Sequence, residues 1–336
     1  MLVLGIETSC DETGAALVED GKVLSNEVSS SVHLHSRYGG VIPEIASRFH
    51  TEYIYKVTEK ALSDSGRAIG DIDLVAVTQG PGLPGSLLVG ISFAKALSFA
   101  LDIPLIGVDH LQAHMLSCFL GYGQGVMEES IYPFVGMVVS GGHTSIYYCE
   151  GLEDYTVLGR TRDDAVGEAF DKVAKVMDLG YPGGPVVEKR ARGADPKKAI
   201  LFPRALMKDE NDLDFSFSGI KTAVMYYWRD CDRSDKEKDR ICYSFQEAVV
   251  DVIVEKLGRA IRSTGAGKVA VGGGVVNNHV LREKLIGRCR EEDAELFLPQ
   301  RQYCADNAAM IAALGEALFS DGQRADLFLN ATPGRS

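Results

Sequence analysis

Val135-Gly-Met-Val-Val-Ser-Gly-Gly-His-Thr144 is an apolar run that ends in a corner of glycines and hydroxyl side chains. Such a run predicts a β-strand that delivers flexible backbone to one edge of a sheet. The pattern occurs three more times, at Leu2-Val-Leu-Gly-Ile-Glu-Thr-Ser9, Leu74-Val-Ala-Val-Thr-Gln-Gly-Pro-Gly82 and Val269-Ala-Val-Gly-Gly-Gly274. Together the four runs predict an α/β protein whose strand ends converge on one phosphate-bearing ligand.

Three segments outside these strands have helical patterns. Residues 85–100 open with a Pro-Gly-Ser start signal and are apolar on most faces, so we expect a buried helix there. Residues 164–178 predict an amphipathic helix that Asp164 caps. Within it, Asp171 is a poor helix former, which indicates that its side chain is placed for a contact. A third helix, from near Asp306 to about Ser320, is expected to pack on the N-terminal half of the chain.

The bulk properties indicate a globular, cytoplasmic protein. A chain of 336 residues is too long for one ordinary core, and its 46% hydrophobic residues can fill two domains. The seven cysteines are scattered and odd in number, which predicts a reducing compartment and neither a disulfide framework nor a cysteine-type zinc site. The N-terminus reaches Glu7 before a signal-peptide core develops. The longest apolar stretch, roughly Leu87 to Val108, contains Lys95 and Asp102, so we expect no membrane span.

The charge of the chain limits how it could bind a nucleic acid. A formal net charge of −12 argues against unaided, high-affinity binding of a polyanion. One basic stretch, which follows Arg160 and Arg162, consists of Lys189, Arg190, Arg192, Lys197, Lys198, Arg204 and Lys208. A solvated surface explains these charges as well as nucleic-acid contact does. We therefore expect any nucleic-acid partner to be held with help from another subunit.

His110 and His114 indicate a metal site. Two imidazoles four residues apart in a helix stand on one face and can bind one ion. Zinc proteases with this spacing have glutamate after the first histidine, whereas Leu111 occupies that position here, which argues against proteolysis. Histidine pairs at helical spacing are also common as plain core or surface residues, so the spacing alone leaves that alternative open.

Ten motifs follow one another along the chain, namely Gly5–Thr13, His35–His50, Gln79–Gly85, Asp109–His114, Ser140–Thr144, Asp163–Lys172, Tyr181–Pro185, Asp214–Gly219, Gly273–Asn278 and Tyr303–Asn307. Their order and identity resemble the bacterial TsaD-type tRNA N6-adenosine threonylcarbamoyltransferases, formerly described as sialoglycoprotein endopeptidases. The resemblance runs from residue 2 to about residue 320. The form of Tyr38–Pro43 is similar to the bacterial and organellar branch of the family.

This resemblance implies a fold and a division into lobes. The fold would be that of the ASKHA superfamily of actin-like ATPases, sugar kinases and chaperones, with two ribonuclease-H-like α/β lobes around a nucleotide cleft. We assign residues 1–108 and about 300–325 to the first lobe and residues 109–299 to the second. The strand-end corners agree with such a nucleotide-binding fold.

The resemblance also implies a reaction and a metal centre. The enzyme would transfer the threonylcarbamoyl group from threonylcarbamoyl-adenylate to N6 of the adenosine 3′ of the anticodon, in tRNAs that read codons starting with A, and would release AMP. By the family pattern His110, His114 and Asp306 bind one divalent ion, Fe²⁺ or Zn²⁺, and act in catalysis through it. Asp306 would also be suited to cap the last helix. No residue is identified as a general base.

The donor substrate, or another adenine nucleotide, is expected at a second group of residues. By resemblance, this group consists of Val138, Val139, Ser140, Gly141, Gly142, Asp171, Gly184 and Asn278. A hydrogen bond between helices would explain Asp171 equally well. Ser9 and Glu12, at the first strand corner, are expected to line the cleft, whereas His143 is left outside the site.

The implied partners are tRNA, a TsaB-like paralogue and a TsaE-like ATPase, with a separate synthase that supplies the adenylate. Competing interpretations are a small-molecule kinase of the same fold, a metalloprotease and a non-catalytic nucleotide-dependent scaffold. The histidine pair argues against the kinase, because kinases hold magnesium through phosphate and carboxylate oxygens. The intact ligand set argues against the scaffold.

Overall fold

The computed structural model describes residues 1–120 and 131–334. Its strands are β1 (Leu2–Glu7), β2 (Glu12–Glu19), β3 (Lys22–Ser30), β4 (Leu74–Gly80), β5 (Leu105–Asp109), β6 (Phe134–Val139), β7 (Thr144–Cys149), β8 (Tyr155–Arg160), β9 (Lys268–Gly272) and β10 (Glu295–Phe297). Its helices are α1 (Val32–His35), α2 (Pro43–Ser65), α3 (Pro84–Leu101), α4 (His110–Leu116), α5 (Val166–Val176), α6 (Gly183–Ala191), α7 (Ser218–Asp230), α8 (Asp235–Thr264), α9 (His279–Glu291) and α10 (Ala308–Ser320). All four strands predicted from apolar runs are present, as β1, β4, β6 and β9.

The chain divides into two compact units. The first unit comprises Met1–Ser130 and Pro299–Ser336, and the second comprises Ile131–Leu298. The sequence-based boundary at residue 108 therefore differs from the observed division, which leaves α4 in the first unit. The physical reason is that α4 continues directly from β5 and packs against α10 of the same unit.

The two units repeat one sheet topology. The first sheet has the order β3-β2-β1-β4-β5 and the second has the order β10-β9-β6-β7-β8. In each sheet the first three strands along the chain form an antiparallel meander, and two further strands extend the sheet in parallel. Consequently the β1–β2 turn and the β6–β7 turn occupy equivalent positions in their units.

Alternate side chains of β1 contribute to the core of the first unit. Leu2, Leu4 and Ile6 belong to the buried cluster that includes residues of α2 and α3. On the other face, α10 packs closely against the sheet, and a Cβ atom on Gly5 would lie 2.3 Å from the carbonyl oxygen of Ala308. Only glycine permits this approach of helix to strand. The close packing of α10 fixes the segment that precedes it, which contains Asp306.

Helix α3 is only partly buried, which corrects the expectation of a buried helix. Leu87, Ile91 and Ala94 face the core, whereas Leu88 is 47% exposed and Phe99 is 77% exposed. By length and composition α3 is the one helix of residues 1–120 and 131–334 that could cross a membrane. It packs on β4 and α2, as a helix on the face of a sheet does.

Two predicted caps are also wrong. The residue at the N-cap position of α5 is Ala165, not Asp164. The Asp164 carboxylate instead pairs with the amines of Lys172 at 2.6 Å and Lys221 at 3.1 Å. The cap of α10 is Asn307, whose side chain accepts from the N–H of Met310. Asp306 therefore does not have the capping role that the sequence suggested for it.

No disulfide bond joins the cysteines of residues 1–120 and 131–334, which are Cys10, Cys118, Cys149, Cys231, Cys242, Cys289 and Cys304. Burial raises the pKa of the Cys149 and Cys242 thiols to about 12. These two side chains therefore behave as small hydrophobic residues of the core.

Candidate functional site

The predicted histidine pair lies on a short helix in the first unit. Helix α4 begins immediately after β5, and the Asp109 carboxylate caps it by accepting from the N–H groups of Leu111 and Gln112, each at 2.9 Å. His110 is 5% exposed and His114 is fully buried. Their ring centroids are 4.6 Å apart. The helical spacing therefore places both imidazoles on one face, as predicted.

Asp306 joins the two histidines from the far end of the chain. Its Oδ1 atom lies 3.0 Å from His114 Nε2 and 3.6 Å from His110 Nε2. One ligand atom from each of the three residues falls within 4.8 Å of the others. Nitrogen and oxygen ligands bind zinc at about 2.0–2.2 Å, so two ligands of one ion are separated by roughly 3–3.6 Å. The observed distances fit a shared divalent cation.

The electrostatics of His110 agree with this fit. Burial disfavours the charged imidazole, but the carboxylates of Glu7 and Asp306 raise the pKa of His110 to about 9. Burial likewise opposes ionisation of Glu7, yet the charge and hydrogen bond of His110 lower its pKa. A field that retains a proton between His110 and Asp306 also favours a cation in that position.

Glu7 and Thr78 were not predicted as site residues. Glu7 has no solvent exposure, and its Oε2 atom lies 2.9 Å from His110 Nδ1. The Thr78 hydroxyl donates to the same oxygen at 2.7 Å. The signal that could have revealed Glu7 is a charged residue at the end of a fully buried strand.

Ser9 and Glu12, which were expected to line the cleft, lie at the β1–β2 turn of the first unit. Ser9 Oγ is 3.4 Å from His110 Nδ1, and the Ser9 N–H donates to Glu7. Glu12 Oε1 accepts from the Ser30 hydroxyl at 3.1 Å. Burial and the neighbouring Asp11 carboxyl raise the pKa of Glu12 well above its usual range. Thus Ser9 touches the histidine site, while Glu12 belongs to the adjoining acidic segment.

The predicted glycine corner of the second unit has a defined backbone. Val138 and Val139 are buried at the end of β6, and Ser140 closes the turn by donating its N–H to the His143 carbonyl at 2.8 Å. The N–H groups of Gly167 and Glu168, at the start of α5, donate to the carbonyls of Ser140 and Gly141. Apart from the glycine itself and its chain neighbours, no described atom lies within 4 Å of a Cβ placed on Gly141 or Gly142. The turn is therefore fixed on one side and open on the other.

Asp171 and Gly184 lie where α5 meets α6. The Asp171 carboxylate accepts from the N–H of Gly183 at 2.7 Å. A Cβ on Gly183 would lie 2.5 Å from the Phe170 carbonyl, whereas a Cβ on Gly184 would meet no described atom within 4 Å. The contact expected for Asp171 is thus a bond between helices, and Gly184 is the neighbouring open position.

Asn278 has a structural role in the second unit. Its Oδ1 accepts from the N–H of Leu281 and caps α9, and its amide group donates to Gln246 at 2.8 Å. The 274–277 turn that precedes it packs against β6 and α5. These two hydrogen bonds therefore fix the side chain of Asn278, for which the sequence predicted a contact with the nucleotide.

Comparison with solved structures identifies the fold. HypF from T. kodakarensis aligns with a TM-score of 0.60 and 15% identity, covering 96% of this chain and 48% of that one. The ROK hexokinase of Thermus thermophilus aligns with a TM-score of 0.52 and 15% identity, covering 96% of this chain and all of the hexokinase. At such identities the likeness shows the fold alone. Together with the repeated sheet order, it confirms the predicted ASKHA fold.

Sequence comparison identifies the family. The family model described as "TsaD: tRNA N6-adenosine threonylcarbamoyltransferase" matches residues 22–313. The tRNA N6-adenosine threonylcarbamoyltransferase of Syntrophus aciditrophicus (strain SB) is 48% identical over 334 residues, which cover 98% of this chain and 96% of that protein. These matches favour none of the competing kinase, protease or scaffold interpretations. The chain belongs to the TsaD family of tRNA N6-adenosine threonylcarbamoyltransferases.

Proposed function

We propose that His110, His114 and Asp306 hold one divalent cation, Fe²⁺ or Zn²⁺, with which this tRNA-modifying transferase acts. The observation that carries the proposal is the convergence of three ligand atoms within 4.8 Å from segments 192 residues apart. Two nitrogens and one oxygen leave coordination positions open for substrate, as a catalytic site requires, and this donor set suits iron or zinc.

The reaction explains why such a site is useful. The exocyclic amine of adenine is a weak nucleophile, because its lone pair is delocalised into the ring. Transfer of a threonylcarbamoyl group to that amine therefore needs a polarised carbonyl, an aligned pair of reactants and stabilisation of negative charge. A bound divalent cation supplies Lewis acidity for the first and third needs. His110, His114 and Asp306 would hold it, and α4 and the segment before α10 fix those side chains.

For the donor, we propose threonylcarbamoyl-adenylate, which would release AMP, with the acceptor at the adenosine 3′ of the anticodon. The second unit offers the group Val138–Gly142, Asp171, Gly184 and Asn278 for its adenylate part. Two observations support this assignment: the open side of the Gly141–Gly142 turn and the open position at Gly184, at the start of α6. Backbone at such positions can approach a phosphate or a ribose closely.

The basic stretch from Lys189 to Lys208 is our candidate surface for the tRNA. Arg190, Arg192 and Arg204 pair with carboxylates of the second unit. The amines of Lys189, Lys197, Lys198 and Lys208 are exposed and have no ion pair within residues 1–120 and 131–334. Unpaired lysines are the cations that can neutralise phosphate charge without first losing another partner.

We further propose that this enzyme works with a TsaB-like paralogue and a TsaE-like ATPase, and that a separate synthase supplies the adenylate. The exposed apolar face of α3, defined by Leu88 and Phe99, is our candidate surface for a protein partner. Large exposed hydrophobic side chains on one helix are typical of a protein interface. The negative net charge of the chain also makes an assisting subunit useful for tRNA binding.

The test is nucleoside mass spectrometry on unmodified tRNA incubated with the protein, its proposed partners and synthetic threonylcarbamoyl-adenylate. We expect threonylcarbamoyladenosine with the wild type and none with His114→Ala. His279→Ala is the matched control, because His279 is exposed on α9 and pairs only with nearby Glu283 among the bonds described for its ring. Equal product from the His114→Ala and wild-type proteins would overturn the proposed metal site.

A further inference from the structure

Glu7 is a buried carboxylate beside the histidine site that has three hydrogen-bond partners. It lies at the end of β1, and its side chain has no solvent exposure. Three groups converge on its two oxygens: the Ser9 N–H on Oε1, and the Thr78 hydroxyl and His110 Nδ1 on Oε2. The three bonds connect Glu7 to three different segments, which are the β1–β2 turn, β4 and the start of α4. Rotation of the Glu7 side chain would break all three.

The chemistry of the acceptor determines where the proton of His110 lies. A carboxylate can only accept, so His110 Nδ1 must donate across the 2.9 Å contact with Glu7. In the neutral imidazole, Nε2 then has the lone pair. That atom is the one 3.6 Å from Asp306 Oδ1, on the side shared with His114. The Glu7 bond therefore presents the metal-binding nitrogen of His110 to the other two ligand residues.

His114 provides an internal comparison. Its Nε2 atom faces Asp306 at 3.0 Å, but its buried Nδ1 atom has no hydrogen-bond partner within residues 1–120 and 131–334. On its Nδ1 side, His114 is therefore held by packing and not by a hydrogen bond. His110 stands at the first residue of α4, where the helix gives less support. The Glu7 carboxylate therefore supports His110, the histidine that the helix holds less firmly.

We propose that Glu7 is a positioning residue that fixes His110 with its proton on Nδ1 and its Nε2 lone pair directed at the metal position. Thr78 assists by holding the Glu7 carboxylate. This inference rests on the metal site proposed above and adds a residue outside its ligand set. Outer carboxylates of this kind typically change metal affinity roughly 10–100-fold when they are removed.

The substitution Glu7→Gln separates positioning from simple core packing, because it keeps shape but replaces one acceptor with a donor. If the amide oxygen faces His110, its NH₂ group meets the Ser9 N–H, and two donors confront each other. If the amide is turned, its NH₂ group faces His110 Nδ1 and favours the tautomer with the proton on Nε2. In either arrangement the His110 ring is held less firmly with its Nε2 lone pair directed at the metal position.

The experiment uses the full chain and Zn²⁺ as the probe. Competition with a chromogenic chelator measures zinc affinity, and ¹⁵N NMR of histidine-labelled, metal-free protein, recorded at a pH above the pKa of His110 so that its ring is neutral, reports the tautomer of that residue. For Glu7→Gln we expect roughly 10–100-fold weaker zinc binding, with loss of the Nδ1–H tautomer. The matched control is Glu316→Gln on α10, whose carboxylate accepts from the Gly21 N–H at 2.8 Å, and which should change neither readout.

The outcomes are distinct. Unchanged zinc affinity in a folded Glu7→Gln protein would overturn the inference, and so would weaker binding with an unchanged tautomer, which would indicate a loss of charge alone. If the wild type binds no zinc or iron, the proposed metal site fails, while the tautomer experiment still decides the role of Glu7. Should Glu7→Gln not fold, Thr78→Val keeps the carboxylate and should weaken zinc binding in the same direction. No change in Thr78→Val would then reject the inference.

Discussion

His114 Nε2 and Asp306 Oδ1 lie 3.0 Å apart, although 192 positions separate the two residues along the chain. The contact exists because α4 and α10 pack against each other within one unit. His114 is buried, and Asp306 retains partial exposure. A metal held between them would therefore be fixed by the core on one side and accessible on the other.

Asp306→Asn should greatly reduce the metal content of the purified protein. The amide keeps the shape but removes the negative charge and the anionic ligand, so we expect at least the roughly 100-fold loss of affinity that marks the upper range for outer-shell changes. Metal analysis after dialysis against a weak chelator measures the effect. Asp321→Asn, at the exposed C-terminal end of α10, is the control. Full metal occupancy in Asp306→Asn would contradict the assignment.

Gly183→Ala should lower the free energy of unfolding by about 1–3 kcal/mol, because overpacking at a close backbone contact forces atoms apart. Its Cβ would lie 2.5 Å from the Phe170 carbonyl and 2.7 Å from the Asp171 Cα. Urea unfolding checks this. Gly184→Ala is the matched control: it lies in the same helix in open space, and should be neutral or stabilising by up to about 1 kcal/mol.

The variant Gly184→Ala also tests the proposed donor site. Gly184→Ala should weaken binding of threonylcarbamoyl-adenylate, since the added methyl group occupies space that we assign to the donor. Equilibrium binding with a non-reactive adenylate analogue is the measurement. An unchanged affinity would remove Gly184 from the donor site and leave the stability prediction intact.

The contribution of Asp163 to stability should disappear in acid. Burial opposes its ionisation, but hydrogen bonds from the Ser216 hydroxyl and the N–H groups of Phe217 and Ser218 lower its pKa. A lowered pKa in the folded state stabilises the protein above the unfolded value of about 3.9, and this stabilisation is lost as the pH falls through the folded value. The difference in unfolding free energy between the wild type and Asp163→Asn should therefore be constant from pH 8 to pH 5 and shrink below about pH 4.

A chemical denaturation series across this pH range is the measurement. Asp321→Asn controls for the removal of one exposed carboxylate. A difference that persists at low pH would show that Asp163 stabilises the start of α7 by shape and not by its charge.

Reversing the charge of Lys197 and Lys198 together should weaken tRNA binding and reduce its salt dependence. The slope of log K against log salt should fall by about one for each phosphate that a lysine no longer neutralises. Lys22→Glu with Lys236→Glu is the matched control, since both lysines are exposed and the net charge changes equally. Identical affinities and slopes for the two double variants would reject this stretch as the tRNA surface.

Phe99→Glu should abolish binding of a protein partner on α3 without loss of stability, because the side chain is 77% exposed and makes little contribution to the core. Size-exclusion chromatography with the proposed paralogue measures assembly. Phe328→Glu, which changes another highly exposed phenylalanine of the same unit, is the control. Normal assembly by Phe99→Glu would exclude this face.

The sequence predicted features whose causes are local or shared by the family. The strands β1, β4, β6 and β9 were identifiable because each is a short apolar run that ends at glycine or hydroxyl residues. His110 and His114 were identifiable because helical spacing sets their direction. The motif order indicated the ASKHA fold and brought Asp306 into the proposed metal site, where the structure does place it beside the two histidines; spacing alone could not have done so.

Features that depend on tertiary partners were missed. Asp164 has the composition of a helix cap, but lysines from α5 and α7 bind its carboxylate, and the position of α7 cannot be derived from the local pattern. Helix α3 is apolar on most faces, and composition does not say which face the sheet covers. The role of Glu7 requires knowing that the end of β1 lies beside the start of α4, which is 103 residues away in sequence.

The first unit is built from two separate segments of the chain, and this sets the order in which the two units can fold during synthesis. Residues 131–298 are contiguous, so the second unit can complete its own sheet while the ribosome is still extending the chain. The first unit must wait for α10, which covers one face of its sheet, and for Asp306 just ahead of it. Binding of the proposed ion would thereby be postponed until almost the whole polypeptide has emerged, because a nascent chain that lacks Asp306 has only two of the three proposed ligand residues.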